Sequence, residues 1–186
     1  MLIDAREVWL KDGQKLVLRS PVEVDAAALL VMLKTVNSES YRNLNHASGA
    51  WNDFPLEKEE GILRTFASSD SRFMISAFAE DGRIVGNIGV FGIEDSVFLK
   101  HSARIGMGIR DEYKNRGLGT QLMRTAMFEA KAKGFHRLEL TVRTFNRLGI
   151  ALYEKVGFER IGRLREVALI DGEYHDEYSY DLILNP

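Results

Sequence analysis

The chain has 186 residues, 45% of them hydrophobic and 28% charged, with a formal net charge of −2 and a pI near 6.1. A chain of that size buries a core without covalent help, and the absence of cysteine excludes disulfides, zinc–thiolate centres and cysteine nucleophiles. Acids and bases are interspersed, unlike the concentrated basic face of a nucleic-acid binder, and no window approaches the roughly 18 apolar residues of a membrane span.

The opening Met1-Leu2-Ile3-Asp4-Ala5-Arg6-Glu7 is charged and lacks a secretory apolar segment. The expectation is a cytoplasmic protein, one domain over residues 1–186, with no metal centre, nucleic-acid partner or membrane partner.

Residues 15–20 have a short apolar centre and read as a strand ended by Pro21. Val22 to Leu33 carries Ala26, Leu29, Leu30 and Leu33 at helical spacing. From Asn37 to Pro55 the chain is polar and irregular, as expected of a surface segment beside a core helix, and Leu56 to Ala67 is helical again. Three strands follow at 73–79, 84–93 and 102–109, the first two joined by an Asp81-Gly82 turn.

The loop Asp111–Arg116 leads into a helix from Leu118 to Lys133, with Leu118, Leu122, Ala126, Met127 and Ala130 on one face and Gly134 as the stop. Arg137 to Val142 alternates as a strand, and Phe145 to Val156 is a second amphipathic helix closed by Gly157. Phe158–Gly162 starts the final strands, and 165–170 pairs with 178–184 across a turn beginning at Asp171-Gly172. Hairpins outnumber crossovers, which predicts an α+β fold with a mixed, mostly antiparallel twisted central sheet flanked by helices.

The chemically most informative stretch runs from Gly106 to Thr120. A helix start has unpaired N–H groups and partial positive charge, so it attracts phosphate. Gly117 and Gly119 allow close backbone approach, and Lys114 and Arg116 add cationic charge. By itself this is equally a tight strand-to-helix turn. A P-loop is excluded because no Lys follows Gly119, and the dinucleotide fingerprint fails because Asp111 stands where its last Gly belongs.

Here the chain resembles the GNAT superfamily of N-acetyltransferases. Their acetyl-CoA motif, Gln/Arg-x-x-Gly-x-Gly/Ala, is matched by Lys114-x-x-Gly117-x-Gly119, with Lys in the first place. A second family pattern, Asn-x-x-Ala-x-x-x-Tyr-x-x-x-Gly-Phe, is matched by Asn146, Gly149, Tyr153, Gly157 and Phe158, with Gly149 replacing Ala. The pattern is similar to the branch that acetylates ribosomal-protein N-termini and small amines. It implies an acyl-CoA N-acyltransferase-like fold and acetyl-CoA as cosubstrate.

The resemblance implies roles. Backbone N–H groups of Lys114, Asn115, Arg116, Gly117, Leu118, Gly119 and Thr120 bind the pyrophosphate. Met107, Gly108, Ile109 and Arg110 pair with the pantetheine arm, the Ile109 N–H also polarising the thioester carbonyl. Asn146 holds the arm from the other side, although its position is also that of a plain helix cap. Tyr153 corresponds to the family's general acid; without the resemblance it reads as an aromatic on a packing face.

The base is not evident, since Arg104 occupies the place of the family's frequent Glu. Glu39, His101 and Glu94 are weak substitutes, and His46 and His136 read as loop histidines. The expected acceptor is a small amine or amino compound, or else a peptide N-terminus. The acids Glu173, Asp176 and Glu177 of the last hairpin are placed to attract a cationic amine. A non-catalytic acyl-CoA-binding module is the alternative class, and a homodimer is among the expected states.

Overall fold

The structure is a computed structural model and describes residues 1–184; the last two residues of the expected 1–186 domain lie outside the described residues. In chain order the elements are β1 (Arg6–Trp9), β2 (Lys15–Arg19), α1 (Ala26–Ser40), α2 (Leu56–Ser68), β3 (Arg72–Phe78) and β4 (Ile84–Gly92). Then come β5 (Ser102–Ile109), α3 (Leu118–Ala132), β6 (Arg137–Arg143), α4 (Arg147–Lys155), β7 (Glu159–Ile170) and β8 (Glu173–Ile183).

Among the described residues eight strands form one sheet in the order β1-β2-β3-β4-β5-β6-β8-β7. Every neighbouring pair is antiparallel except β5 and β6. The sheet is therefore mixed and mostly antiparallel, as the hairpin signals predicted.

Alternation along the central strands divides the core. On β3, Phe73, Ile75 and Ala77 join the cluster that contains Leu118, Leu122, Met123 and Ala126 of α3. The intervening Met74 and Phe78 pack with Leu29, Met32 and Val36 of α1 and Leu63 of α2. Side chains of period two thus bind α3 on one face and α1 with α2 on the other. A bulge where β3 passes Val85 of β4 shifts the register, so that Ile84 serves the α1 side while Ile88 and Val90 serve the α3 side.

Several expected boundaries move. Strand β1 was not anticipated: its exposed Arg-Glu-Val-Trp has no buried alternation, and it sits at the sheet edge. Helix α1 starts at Ala26 rather than Val22, because Asp25 receives the Val22 N–H at 2.8 Å and pairs with Arg19 in a preceding 3₁₀ turn. It then runs on to Ser40, through residues expected to be irregular. Strand β7 is one long edge strand rather than two short ones, with register shifts between Arg160/Gly162 and Leu164/Ala168. The hairpin turn does fall at Asp171 and Gly172, both at positive φ (52° and 85°), as a two-residue primed turn requires.

Candidate active site

Parallel pairing between β5 and β6 covers only Ser102–Arg104 against Arg137–Glu139. Beyond Arg104 the two strands part, and a cavity of about 380 Å³ opens between Met107–Ile109 and Thr141–Val142. The phase of the β4–β5 ladder decides what faces that opening. Arg110 N–H donates to the Val85 carbonyl at 3.1 Å and Ile93 N–H to Ser102 at 3.0 Å. Arg104, Gly106 and Gly108 fall in phase with these and bond to β4, so Met107 and Ile109 turn their amides to the free edge. Gly108 has the opposite role: a Cβ there would meet Val36 Cγ1 at 3.1 Å, so its bareness lets α1 close over the cavity.

The loop after β5 carries Asn115 and Gly117 at positive φ, 60° and 95°. This turns the chain sharply into α3. The first intrahelical bond is Gln121 N–H to Gly117 at 3.2 Å, so the amides of Leu118, Gly119 and Thr120 precede it. Lys114, Asn115, Gly117, Gly119 and Thr120 line the cavity. Lys114 Nζ donates to Ser40 Oγ at 2.8 Å and pairs with Asp111.

Three of the expected cofactor residues do not line the cavity with their side chains. The Leu118 side chain is in the core, leaving only its amide at the helix start. Arg110 spends its amide on β4 and pairs with Glu112 at 3.3 Å. Arg116 binds Asp12 and Gln14, both at 2.6 Å, with its guanidinium 5.0 Å from the Tyr113 ring centre. Arg116 therefore ties the β1–β2 turn to the loop rather than facing the cavity. That tie brings up a cation absent from the sequence reading: Lys11 lines the cavity and its Nζ reaches the Asn115 carbonyl at 3.3 Å. The Asp12-Gly13 pair beside Lys11 is a hairpin signal that would have found it.

Helix α4 forms the other wall. Asn146 is its N-cap, accepting the Gly149 N–H at 3.0 Å through Oδ1, which leaves the Nδ2 donor for the cavity. Gly149, where relatives often carry Ala, sits so tightly that a Cβ would meet Asn146 Nδ2 at 2.8 Å. One turn on, Tyr153 also lines the cavity, half-buried, its ring 6.2 Å from Phe158 and 6.4 Å from Tyr180. Desolvation by the surrounding protein pushes its hydroxyl up to about 12, and among the described residues no protein group hydrogen-bonds to it. It therefore stays protonated across the neutral range. Ser40 and Asn43, from the 37–55 segment expected to contact the acceptor, also line it, as do Leu148, Leu152 and Lys155, which were not anticipated.

A second cavity adjoins the first through the shared residues Ser40, Asn43, Asn146 and Leu148. Its walls are the end of α1, the β6–α4 junction and His175 of β8. Tyr41 Oη donates to Asp171 at 2.9 Å, bridging α1 to the β7–β8 turn.

The residues weighed as bases lie mostly elsewhere. Arg104 pairs with Glu139 at 3.0 Å, His101 and His136 face each other at 6.1 Å just before the parallel β5 and β6 begin, and Glu94 binds Ser71 and Arg72. His46 packs on Trp51. Glu39 lines the second cavity, but its carboxylate accepts the Asp111 N–H at 2.8 Å. The three acids of the last hairpin do not make a free anionic patch. Glu177 is buried against Arg143, Asp176 binds Arg163 and the Glu166 N–H, and Glu173 lies 4.0 Å from Arg42.

Among the described residues no group of three or more His, Asp or Glu is placed to hold a metal, and no helix is long and apolar enough to cross a membrane.

Comparison with known proteins bears on the family and the fold. An L-amino acid N-acetyltransferase of Escherichia coli is 36% identical over 100 residues, 53% of this chain and 60% of that protein's length. A GNAT-family acetyltransferase from Streptococcus pneumoniae has the same fold at a TM-score of 0.81 and 29% identity, over 91% of this chain and 99% of that one. A Salmonella typhimurium protein solved with its cofactor acetyl-CoA matches the fold at TM-score 0.77 and 17% identity, over 92% of this chain and 95% of that one. The model of the acetyltransferase (GNAT) family matches residues 33–158, more than half of the sequence, and the chain belongs to that family.

Proposed function

We propose that the protein transfers the acetyl group of acetyl-CoA to the amine of a small amino compound, by direct attack while both substrates are bound. The observation that carries this reading is the cavity itself: free strand amides, an open helix start and a protonated phenol line one continuous space. The amides of Leu118, Gly119 and Thr120, with Lys114 and Lys11, form the cradle for the diphosphate. The free edge of β5 takes the pantetheine arm as a further strand, with Asn146 Nδ2 opposite. The Ile109 N–H points where a thioester oxygen gains charge as the amine attacks.

When the tetrahedral adduct collapses, the carbon–sulfur bond breaks and the sulfur leaves as a thiolate that needs a proton. Tyr153 is the donor on hand, held protonated by its surroundings. Holding both substrates in register supplies much of the remaining acceleration.

The acceptor lies in the second cavity. Arg147 in its wall suits an amine that also bears a carboxylate, beside Arg42, which Asp171 and Glu173 approach at 3.8 and 4.0 Å. An amino acid meets both demands, in keeping with the Escherichia coli relative. Thiol release from acetyl-CoA with amino acids, decarboxylated amines and peptides tests it. Amino acids are expected to turn over best; faster turnover of peptides alone would replace the small acceptor by a protein N-terminus.

A further inference from the structure

An acceptor that arrives as an ammonium ion has no lone pair, so something must take its proton before attack. The residue types that titrate near neutral pH are few. Of the side chains lining the two joined cavities, one is a histidine: His175, near the start of β8, paired in register with Ala168 of β7.

Its setting is that of a base rather than a solvated surface residue. The ring is largely withdrawn from solvent and meets the Phe145 ring edge-on at 5.2 Å. Nε2 is enclosed and has no hydrogen-bond partner, with the Glu173 carboxylate 3.9 Å away. Nδ1 is thereby the nitrogen left to meet a ligand.

We infer that His175 is the proton acceptor for the attacking amine, an inference that rests on the acetyl-transfer reading above. In the neutral ring the proton sits on Nε2, and Nδ1 takes one from the bound ammonium. Glu173 then faces the cationic ring.

The other charged groups around the histidine set the balance. Arg42 and Glu39 approach from α1 and the turn after it, and Arg147 from the start of α4. On the β8 side the Arg143–Glu177 pair is mutually neutralised. Glu173 stands against the cations, 3.9 Å from the ring. Proton accounting closes: two of the three ammonium protons must leave on the way to the amide. One passes through His175 to solvent, and the other balances the proton that Tyr153 gives to the departing thiolate.

The test is kcat/KM against pH for the wild type and for His175→Gln and His175→Asn, with folding checked by thermal melting. Two acceptors are used: an α-amino acid, protonated at neutral pH, and hydroxylamine, already neutral there. With the amino acid, the wild type is expected to level off at a lower pH than the variants do. The variants are expected to be slower by about a hundredfold at neutral pH and to keep rising to about pH 9, as the free amine itself accumulates. With hydroxylamine the deficit should shrink to about threefold or less. Equal profiles for wild type and both variants overturn the inference, and so does a deficit of the same size with both acceptors. A wild type that releases no thiol with any amine overturns the acetyl-transfer reading, and the inference falls with it.

Discussion

Arg143 and Glu177 stand opposite each other in the β6–β8 register and form an ion pair with each side chain only 8% exposed. The same guanidinium continues outward, donating to Asn45 Oδ1 at 3.0 Å and to the Leu44 carbonyl at 3.4 Å. On the α1 side the buried amide of Asn37 binds the Ala47 carbonyl at 3.0 Å and the Gly49 N–H at 2.7 Å. Two buried polar side chains thus anchor the polar stretch after α1 beside the acceptor cavity.

Removing one partner of that pair should be costly. Glu177→Ala leaves an uncompensated buried cation, and a loss of about 3–5 kcal/mol is expected in denaturant unfolding. The double change Arg143→Met with Glu177→Leu should recover most of that stability, since burying an ion pair gains little over packing. It should still raise KM for acetyl-CoA, because Leu44, which lines the first cavity, loses its anchor.

Tyr153→Phe should lower kcat by about a hundredfold with little change in acetyl-CoA affinity. The pH dependence has a definite sign. An acid works only while protonated, and this hydroxyl is pushed up to about 12. Its contribution is full below that value and lost above it, so the ratio of wild-type to variant kcat should be constant from pH 6 to pH 9. A ratio that falls across that range would show a phenol ionising much earlier.

The turn from β5 into α3 was legible because its signals are local: glycines at a strand-to-helix junction, with cations beside them. Gly117 in particular needs the left-handed region that only its residue type adopts freely. What sequence could not show was made by tertiary contact. Asn37 and Ser38 read as loop residues, yet Asn37 is helical and buried because its amide has partners across the loop. Glu166, at φ 53°, breaks the alternation inside β7 and disguises one strand as two. His175 lies in the last hairpin, expected to bear on acceptor specificity, but nothing local set it apart, since Phe145 and Arg42, which frame it, come from distant parts of the chain. Arg116 misled in the other direction: its charge lies beside the motif but is satisfied by Asp12.

Gly117→Ala tests the turn into α3. A side chain at φ 95° is strained although it would have room, the nearest atom being Lys11 Cγ at 3.5 Å. A stability loss of about 1–2 kcal/mol is expected by thermal or denaturant melting. Weaker binding of CoA should accompany it as the helix-start amides shift.

Lys11→Ala tests the cation supplied by the β1–β2 turn. KM for acetyl-CoA should rise about fivefold to tenfold, about 1–1.4 kcal/mol, with KM for the acceptor unmoved. The difference between wild type and variant should narrow at high salt, because the lysine acts through an exposed charge.

The most direct measurement is calorimetric titration of the purified protein with CoA and with pantetheine, which lacks the diphosphate. If the start of α3 grips that group, CoA binds one per chain and pantetheine binds at least about a hundredfold more weakly, a difference of about 2.7 kcal/mol. Equal affinity for the two, or no binding of CoA, would contradict it.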